Sequence, residues 1–207
     1  MTIRTFLAVP LKSAAVRRLA DYADTLCSFD TQGQVLWSDS NSYHLTLCFL
    51  GEIGLDQVAL LEQQARLSLR QQGSFQLHLD RVGYLQVNPE LAVLAALSDS
   101  NPELLSLQRR VAELVDKVQL PLDEARFQPH VTLGRLPLGA VAQSPEAWPL
   151  LDQSSLVDSV VLYQSRPCAS GSIYSPLFDI ALTAGTDSTQ SSRVDIGLGV
   201  NASTDVF

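Results

Sequence analysis

Residues 3–9 (IRTFLAV) are a short, mostly apolar run that stops at Pro10, which predicts a first strand. The next stretch, LKSAAVRRLADYADTLC, places its apolar residues at helical spacing. SYHLTLCFLG, residues 42–51, is strand-like again and ends on a glycine. Residues 55–69 return to the helical period and are closed by Gly73. FQLHLDRVGYLQV and LAVLAAL read as two strands joined by a turn at Asn88-Pro89. Asn101 is placed to cap a helix that starts at Pro102 and runs to about Val118. A loop after Pro121 leads into a strand through Leu136, then a short helix is predicted over 144–153. SLVDSVVLYQS and SIYSPLFDIAL complete the pattern as strands.

This order predicts an α+β fold of two similar lobes, each an antiparallel sheet with helices outside, around a central cleft. The division between lobes is expected near residues 83–89. Residues 1–182 are expected to form a single bilobed domain. Residues 183–207 are rich in Ser, Thr, Gly and Asp and largely without period, so a polar, flexible tail is predicted there.

Charge narrows the partners. A net charge of −8 and a pI near 4.7 exclude a broad basic footprint for long nucleic acid, so a nucleic-acid ligand should be short or held at one local spot. Cys27, Cys48 and Cys168 are widely spaced among apolar neighbours, which predicts buried free thiols in a reducing compartment. The N-terminal apolar stretch is broken at Pro10, too early for a secretory signal. The longest apolar run, LAVLAAL, falls far short of the roughly 20 residues a membrane span needs. A cytoplasmic monomer with no membrane contact is the expectation.

Two of the three histidines sit in one repeated pattern: His44-Leu-Thr46-Leu and His130-Val-Thr132-Leu. On a strand, positions i and i+2 share a face, so each imidazole points with its threonine while the intervening apolar residues face the opposite layer. Two such strands side by side would bring together two imidazoles and two hydroxyls. Imidazole is the side chain suited to proton transfer near neutral pH. In-line displacement at phosphorus needs a base on one side and an acid on the other, while hydroxyls donate to the non-bridging oxygens. The histidines lack metal-ligand spacing and no acidic cluster stands beside them, so neither a metal nor another cofactor is expected. His78, with no threonine two positions on, reads as structural or surface. Phe6 and Trp37 are core residues or base-stacking ones.

On RTFLAV, Trp37 ahead of HLTLCFLGE, RVGYL, FQPHVTLGRL and the closing LYQS…GSIYSPLFDI, the chain resembles the two-histidine (2H) phosphoesterases. Within them it is most similar to the RNA 2',3'-cyclic phosphodiesterases, also called 2'-5' RNA ligases. The resemblance covers roughly residues 3–182. It implies two α+β lobes around a cleft and hydrolysis of a nucleoside 2',3'-cyclic phosphate end to a 2'-phosphate, with reversal as 2'-5' ligation. It also implies His44 as proton donor to the leaving 3' oxygen and His130 as proton acceptor from water. The residues themselves leave that assignment open. The partners implied are RNA ends or small cyclic nucleotides.

The family often carries a basic residue after the second motif, which makes Arg135 a phosphate-binding candidate. Arg135 is five residues beyond His130, so strict alternation turns it away from the cleft. A bulge, which Gly134 could permit, would bring it back. Two other readings stand beside the RNA enzyme: a module that holds RNA or nucleotide ends without turnover, and a phosphodiesterase acting on small nucleotides such as ADP-ribose cyclic phosphate.

Overall fold

The computed structural model describes residues 1–98, 101–122, 126–140, 148–168 and 171–184. It is an α+β fold dominated by antiparallel strands. The strands are β1 (Thr2–Pro10), β2 (Leu36–Trp37), β3 (His44–Gly54), β4 (Phe75–Leu79), β5 (Arg81–Gln86), β6 (Leu91–Leu97), β7 (His130–Pro137), β8 (Gln153–Val157), β9 (Ser159–Cys168) and β10 (Gly171–Ala181). The helices are α1 (Ser13–Cys27), α2 (Leu55–Ser68) and α3 (Pro102–Lys117).

Each helix follows from its apolar spacing. Ala15, Leu19, Ala23 and Leu26 of α1 recur every three or four residues and are all buried, as are Leu104, Leu107, Val111, Leu114 and Val115 of α3. Asn101 caps α3: its side-chain oxygen accepts from the Leu104 N–H at 2.8 Å. At the start of α2 the Gln57 side chain accepts from the Gly54 N–H at 2.8 Å.

One sheet runs β10-β9-β1-β3-β7-β6-β5, with β2 paired to β7, while β4 and β8 pair separately. The neighbours β3 and β7, the two motif strands, share one ladder pair, Leu45 with Val131. On one side of that seam lie β3, β1, β9 and β10; on the other lie β7, β6, β5 and β2. The division expected at 83–89 is therefore misplaced. Those residues fall in and after β5, which is hydrogen-bonded to β6 in the same half, and chain segments from both ends of the sequence complete the other half.

Three further expectations are corrected. FQLHLDRVGYLQV is two strands, because the chain breaks at Asp80 and sends β4 to β8 and β5 to β6. The helix predicted over 144–153 falls partly on 141–147, outside the described residues, while 148–152 is irregular and Gln153 opens β8. Of the three free cysteines Cys48 is buried, but Cys27 is exposed. Of the predicted tail, Thr183 is tied back, its N–H donating to the Gln72 carbonyl at 2.8 Å; residues 185–207 lie outside the described residues. Among the described residues, no helix is long and apolar enough to cross a membrane.

Both motif strands carry an irregularity in register. Leu7 pairs with Cys48 but Ala8 pairs with Thr46, which leaves Leu47 as an extra residue in β3. Leu94 pairs with Gly134 but Ala95 pairs with Thr132, which leaves Leu133 extra in β7. Each bulge falls on the leucine directly after a motif threonine. A bulge sends two successive residues to one face, and burial agrees: Leu47 and Cys48 are both buried, as are Leu133 and Gly134.

Gly134 is required by close approach: a Cβ there would lie 2.5 Å from Val35 Cγ1 and 3.3 Å from the Leu36 carbonyl. Gly134→Ala is expected to push β2 off β7 and cost about 1–3 kcal/mol. Denaturant melts would measure the loss, and a Val35→Ala background should recover part of it.

Candidate active site

The bulges decide which side chains share the sheet face of the motif histidines. His44 and Thr46 lie together on β3, and His130 and Thr132 on β7, each opposite a buried layer of Leu45, Leu47, Val131 and Leu133. Around the Leu45–Val131 pair, antiparallel geometry sets His44 across from Thr132 and Thr46 across from His130. After each bulge the alternation is reset, so Phe49 and Arg135, each five residues beyond its histidine, return to the sheet face of the histidines. Arg135 is thus on the face of the motif residues, by the exception that Gly134 was expected to allow.

Both rings are held in the same way. His44 Nδ1 is 2.7 Å from the Ser42 carbonyl oxygen, and His130 Nδ1 is 2.7 Å from the Gln128 carbonyl oxygen. A carbonyl can only accept, so the neutral rings carry their proton on Nδ1 and offer a lone pair at Nε2. His44 Nε2 lies 3.1 Å from Thr46 Oγ1, whose hydroxyl donates to it.

The surroundings differ. His44 is set among aromatic rings, with centroids 4.8 Å from Phe6, 5.0 Å from Tyr174 and 6.1 Å from Tyr163. This burial pushes its pKa down to about 4; the Ser42 hydrogen bond acts in the opposite direction, and the positive charges of His130 and Arg135 add to the lowering. Those last two influences place His130 and Arg135 within electrostatic reach of His44.

The remaining sequence candidates lie elsewhere. His78 is exposed on β4, its Nδ1 3.1 Å from Ser154 Oγ and its Nε2 3.6 Å from Asp152, as a surface residue would be. Phe6 is buried beneath His44. Trp37 pairs with Gly134 and lines, with Tyr84, Leu94 and Leu136, a cavity of about 300 Å³ on the sheet face opposite the histidines. Phe49 was missed by sequence reasoning; its signal is the Leu-Cys doublet that interrupts alternation after Thr46. Among the described residues no three His, Cys, Asp or Glu side chains gather as a metal site.

The family model for the 2'-5' RNA ligase superfamily matches residues 40–166. An RNA 2',3'-cyclic phosphodiesterase from Methanothermobacter thermautotrophicus is 33% identical over 138 residues, 66% of this chain and 72% of the relative. One from Geobacillus stearothermophilus is 30% identical over 167 residues, 78% of this chain but 52% of the relative, so the chain spans about half of that protein. In fold, a crystal structure of E. coli LigT complexed with 3'-AMP superposes with a TM-score of 0.74 at 24% identity, covering 88% of this chain and 99% of that one.

Proposed function

The chain belongs to the 2'-5' RNA ligase superfamily, and from that premise we propose that it is an RNA 2',3'-cyclic phosphodiesterase, a hydrolase that opens a nucleoside 2',3'-cyclic phosphate end to a 2'-phosphate. The observation that carries the proposal is the matched pair of bulged His-x-Thr-Leu strands, which turn two imidazoles, two hydroxyls and Arg135 to one face at the centre of the sheet. Relatives bearing that activity in their names are similar to this chain over 138 and 167 residues.

In the proposed reaction, water attacks phosphorus as His130 Nε2 takes its proton, and the P–O3' bond breaks as His44 delivers a proton to the departing oxygen. The products are a 2'-phosphate and a free 3'-hydroxyl. Thr46, Thr132 and Arg135 receive the non-bridging oxygens, whose charge must be held as phosphorus becomes five-coordinate. Run backwards with a 5'-hydroxyl in place of water, the same groups would join a 2'-5' linkage. The domain that does this is taken to run through Leu182, and free thiols suit a reducing cytoplasm.

The donor role has a cost that can be measured. With its pKa pushed down by burial to about 4, His44 is neutral at neutral pH and cannot donate from Nε2. The phosphodiester anion, brought beside it, favours the imidazolium and should raise that pKa. We expect an NMR titration of the His44 ring to give a midpoint near 4 in the free protein and a clearly higher one with a slowly hydrolysed cyclic phosphorothioate bound. A ring that stays neutral in the complex would exchange the roles of the two histidines.

The reaction itself is tested by incubating the protein with an oligonucleotide ending in a 2',3'-cyclic phosphate and identifying which ribose oxygen keeps the phosphate. Retention on O2' is expected. A second reading, with the same chemistry on small cyclic nucleotides, is favoured by the net charge of −8. It predicts kcat/KM for a mononucleotide equal to or above that for the oligonucleotide. Tight binding of the cyclic end without turnover would leave only a binding module.

A further inference from the structure

We propose that the cavity on the sheet face opposite the histidines is a second ligand site, which holds a small hydroxyalkylammonium cation against aromatic walls beside Asp30. The inference stands apart from the phosphodiesterase reading above, because neither motif histidine, neither motif threonine nor Arg135 lines this cavity.

Pairing in the sheet places its floor. Trp37 on β2 and Leu94 on β6 both pair with Gly134, and Tyr84 on β5 pairs with Leu94, so the three side chains share one face. Asp30 and Gln34, from the loop after α1, and Trp148 line the rest. The volume of about 300 Å³ is at the lower end of what small-molecule sites occupy. Among the described residues no Lys, Arg or His lines the cavity, and Asp30 supplies its one full charge. Burial raises the pKa of the Tyr84 hydroxyl and the charge of Asp30 raises it further, which sets that carboxylate within electrostatic reach of the opposite wall. An anion entering here would meet a carboxylate with no cation to offset it, in a chain of net charge −8. A phosphate is therefore disfavoured on this face, and a cation is favoured.

The rings decide what kind of cation. Tyr84 and Trp148 meet at 69° with centroids 5.4 Å apart, which makes a corner of two ring faces, and Trp37 adds a third ring. Aromatic faces are negative and attract a cation whose charge is spread over an apolar group, as in an alkylammonium. A compact metal ion needs several oxygen ligands instead, and no three His, Cys, Asp or Glu side chains gather among the described residues. The Asp30 carboxylate is fixed before any ligand arrives: one oxygen accepts from the Gln34 N–H at 3.0 Å and the other from the Val35 N–H at 2.9 Å. Each oxygen keeps a lone pair for the cation. Two buried polar atoms of the lining residues have no hydrogen-bond partner, the carbonyl oxygen Oε1 of Gln34 and the indole nitrogen Nε1 of Trp148. The first can only accept and the second can only donate, and leaving both unpaired is costly. A ligand with a cationic head for the carbonyl and a hydroxyl for the indole N–H matches both, whereas a purely apolar occupant matches neither.

Trp37 and Trp148 are the chain's two tryptophans, and both line the cavity, so intrinsic fluorescence reads this site directly. The probe is choline, titrated into the full chain beside 3,3-dimethylbutan-1-ol, which keeps the shape and the hydroxyl and puts carbon in place of the charged nitrogen. Choline should give a saturable change in tryptophan emission, and the neutral analogue should bind roughly tenfold more weakly or worse. Tyr84→Leu, which leaves both reporters in place and removes one ring face, should weaken choline by roughly 2- to 30-fold, while Tyr84→Phe should hold the wild-type affinity. Tyr174→Leu, on the other sheet face beside His44, should also hold it. Melting curves identify a leucine variant that has lost its fold, and the comparison of choline with its neutral analogue decides the matter on the wild type alone. No saturable response to choline, equal affinity for the two compounds, or a loss in folded Tyr174→Leu equal to that in Tyr84→Leu overturns the assignment.

Discussion

His130→Ala is expected to lower turnover of a 2',3'-cyclic phosphate end by roughly 10²-fold or more, and His44→Ala by a similar factor, with neither change unfolding the protein. Both rings lie on one sheet face, while the strands that carry them are anchored by Leu45, Leu47, Val131 and Leu133 from beneath. Loss of either ring leaves that anchoring layer in place. The two proton transfers serve one displacement, so the groups act as a unit. The double variant should therefore fall little further than the worse single one, because once one transfer is lost the remaining imidazole has little left to assist. Single-turnover rates on a cyclic-ended oligonucleotide, with circular dichroism to confirm the fold, would measure this. Wild-type rates in either variant would remove that histidine from the chemistry.

Much of this site is legible in the sequence because a strand has a simple period. His44 with Thr46 and His130 with Thr132 are on one face by alternation, and the leucines between and after them supply the buried layer. What alternation cannot show is its own interruption. The doublets Leu47-Cys48 and Leu133-Gly134 occur at the same offset in both motifs, and each resets the phase. Reading straight through them hides Phe49 and leaves Arg135 undecided. The lobe division escaped for a different reason. β1 chooses β3 and β9 as partners over separations that no local pattern encodes, whereas β5 and β6 form a hairpin across the turn at Asn88. Asp80 likewise ends one pairing and begins another within what reads as a single run.

Arg135→Ala tests the consequence of that reset phase on the phosphate side. A hydrogen bond to a charged group is worth about 1.5–3 kcal/mol, so kcat/KM should drop by roughly 10- to 150-fold. Arg135→Lys should recover only part, since an ammonium supplies charge without the planar paired donors that match a phosphate. A second readout distinguishes this role from mere support of the strand. The positive charge of Arg135 is one of the influences that lower the pKa of His44. Its removal favours the imidazolium, so the His44 midpoint should move upward from about 4 in Arg135→Ala and stay closer to it in Arg135→Lys. A structural role would lower stability without moving that midpoint. Arginine at this place thus does two opposed things: it draws the anion in, and until the anion arrives it keeps His44 free of its proton. Binding of substrate neutralises the guanidinium and places a negative charge beside the ring, and both changes favour protonation of the group that must donate. The donor is then charged chiefly when a phosphodiester is present, which ties readiness for the chemistry to occupancy of the cleft.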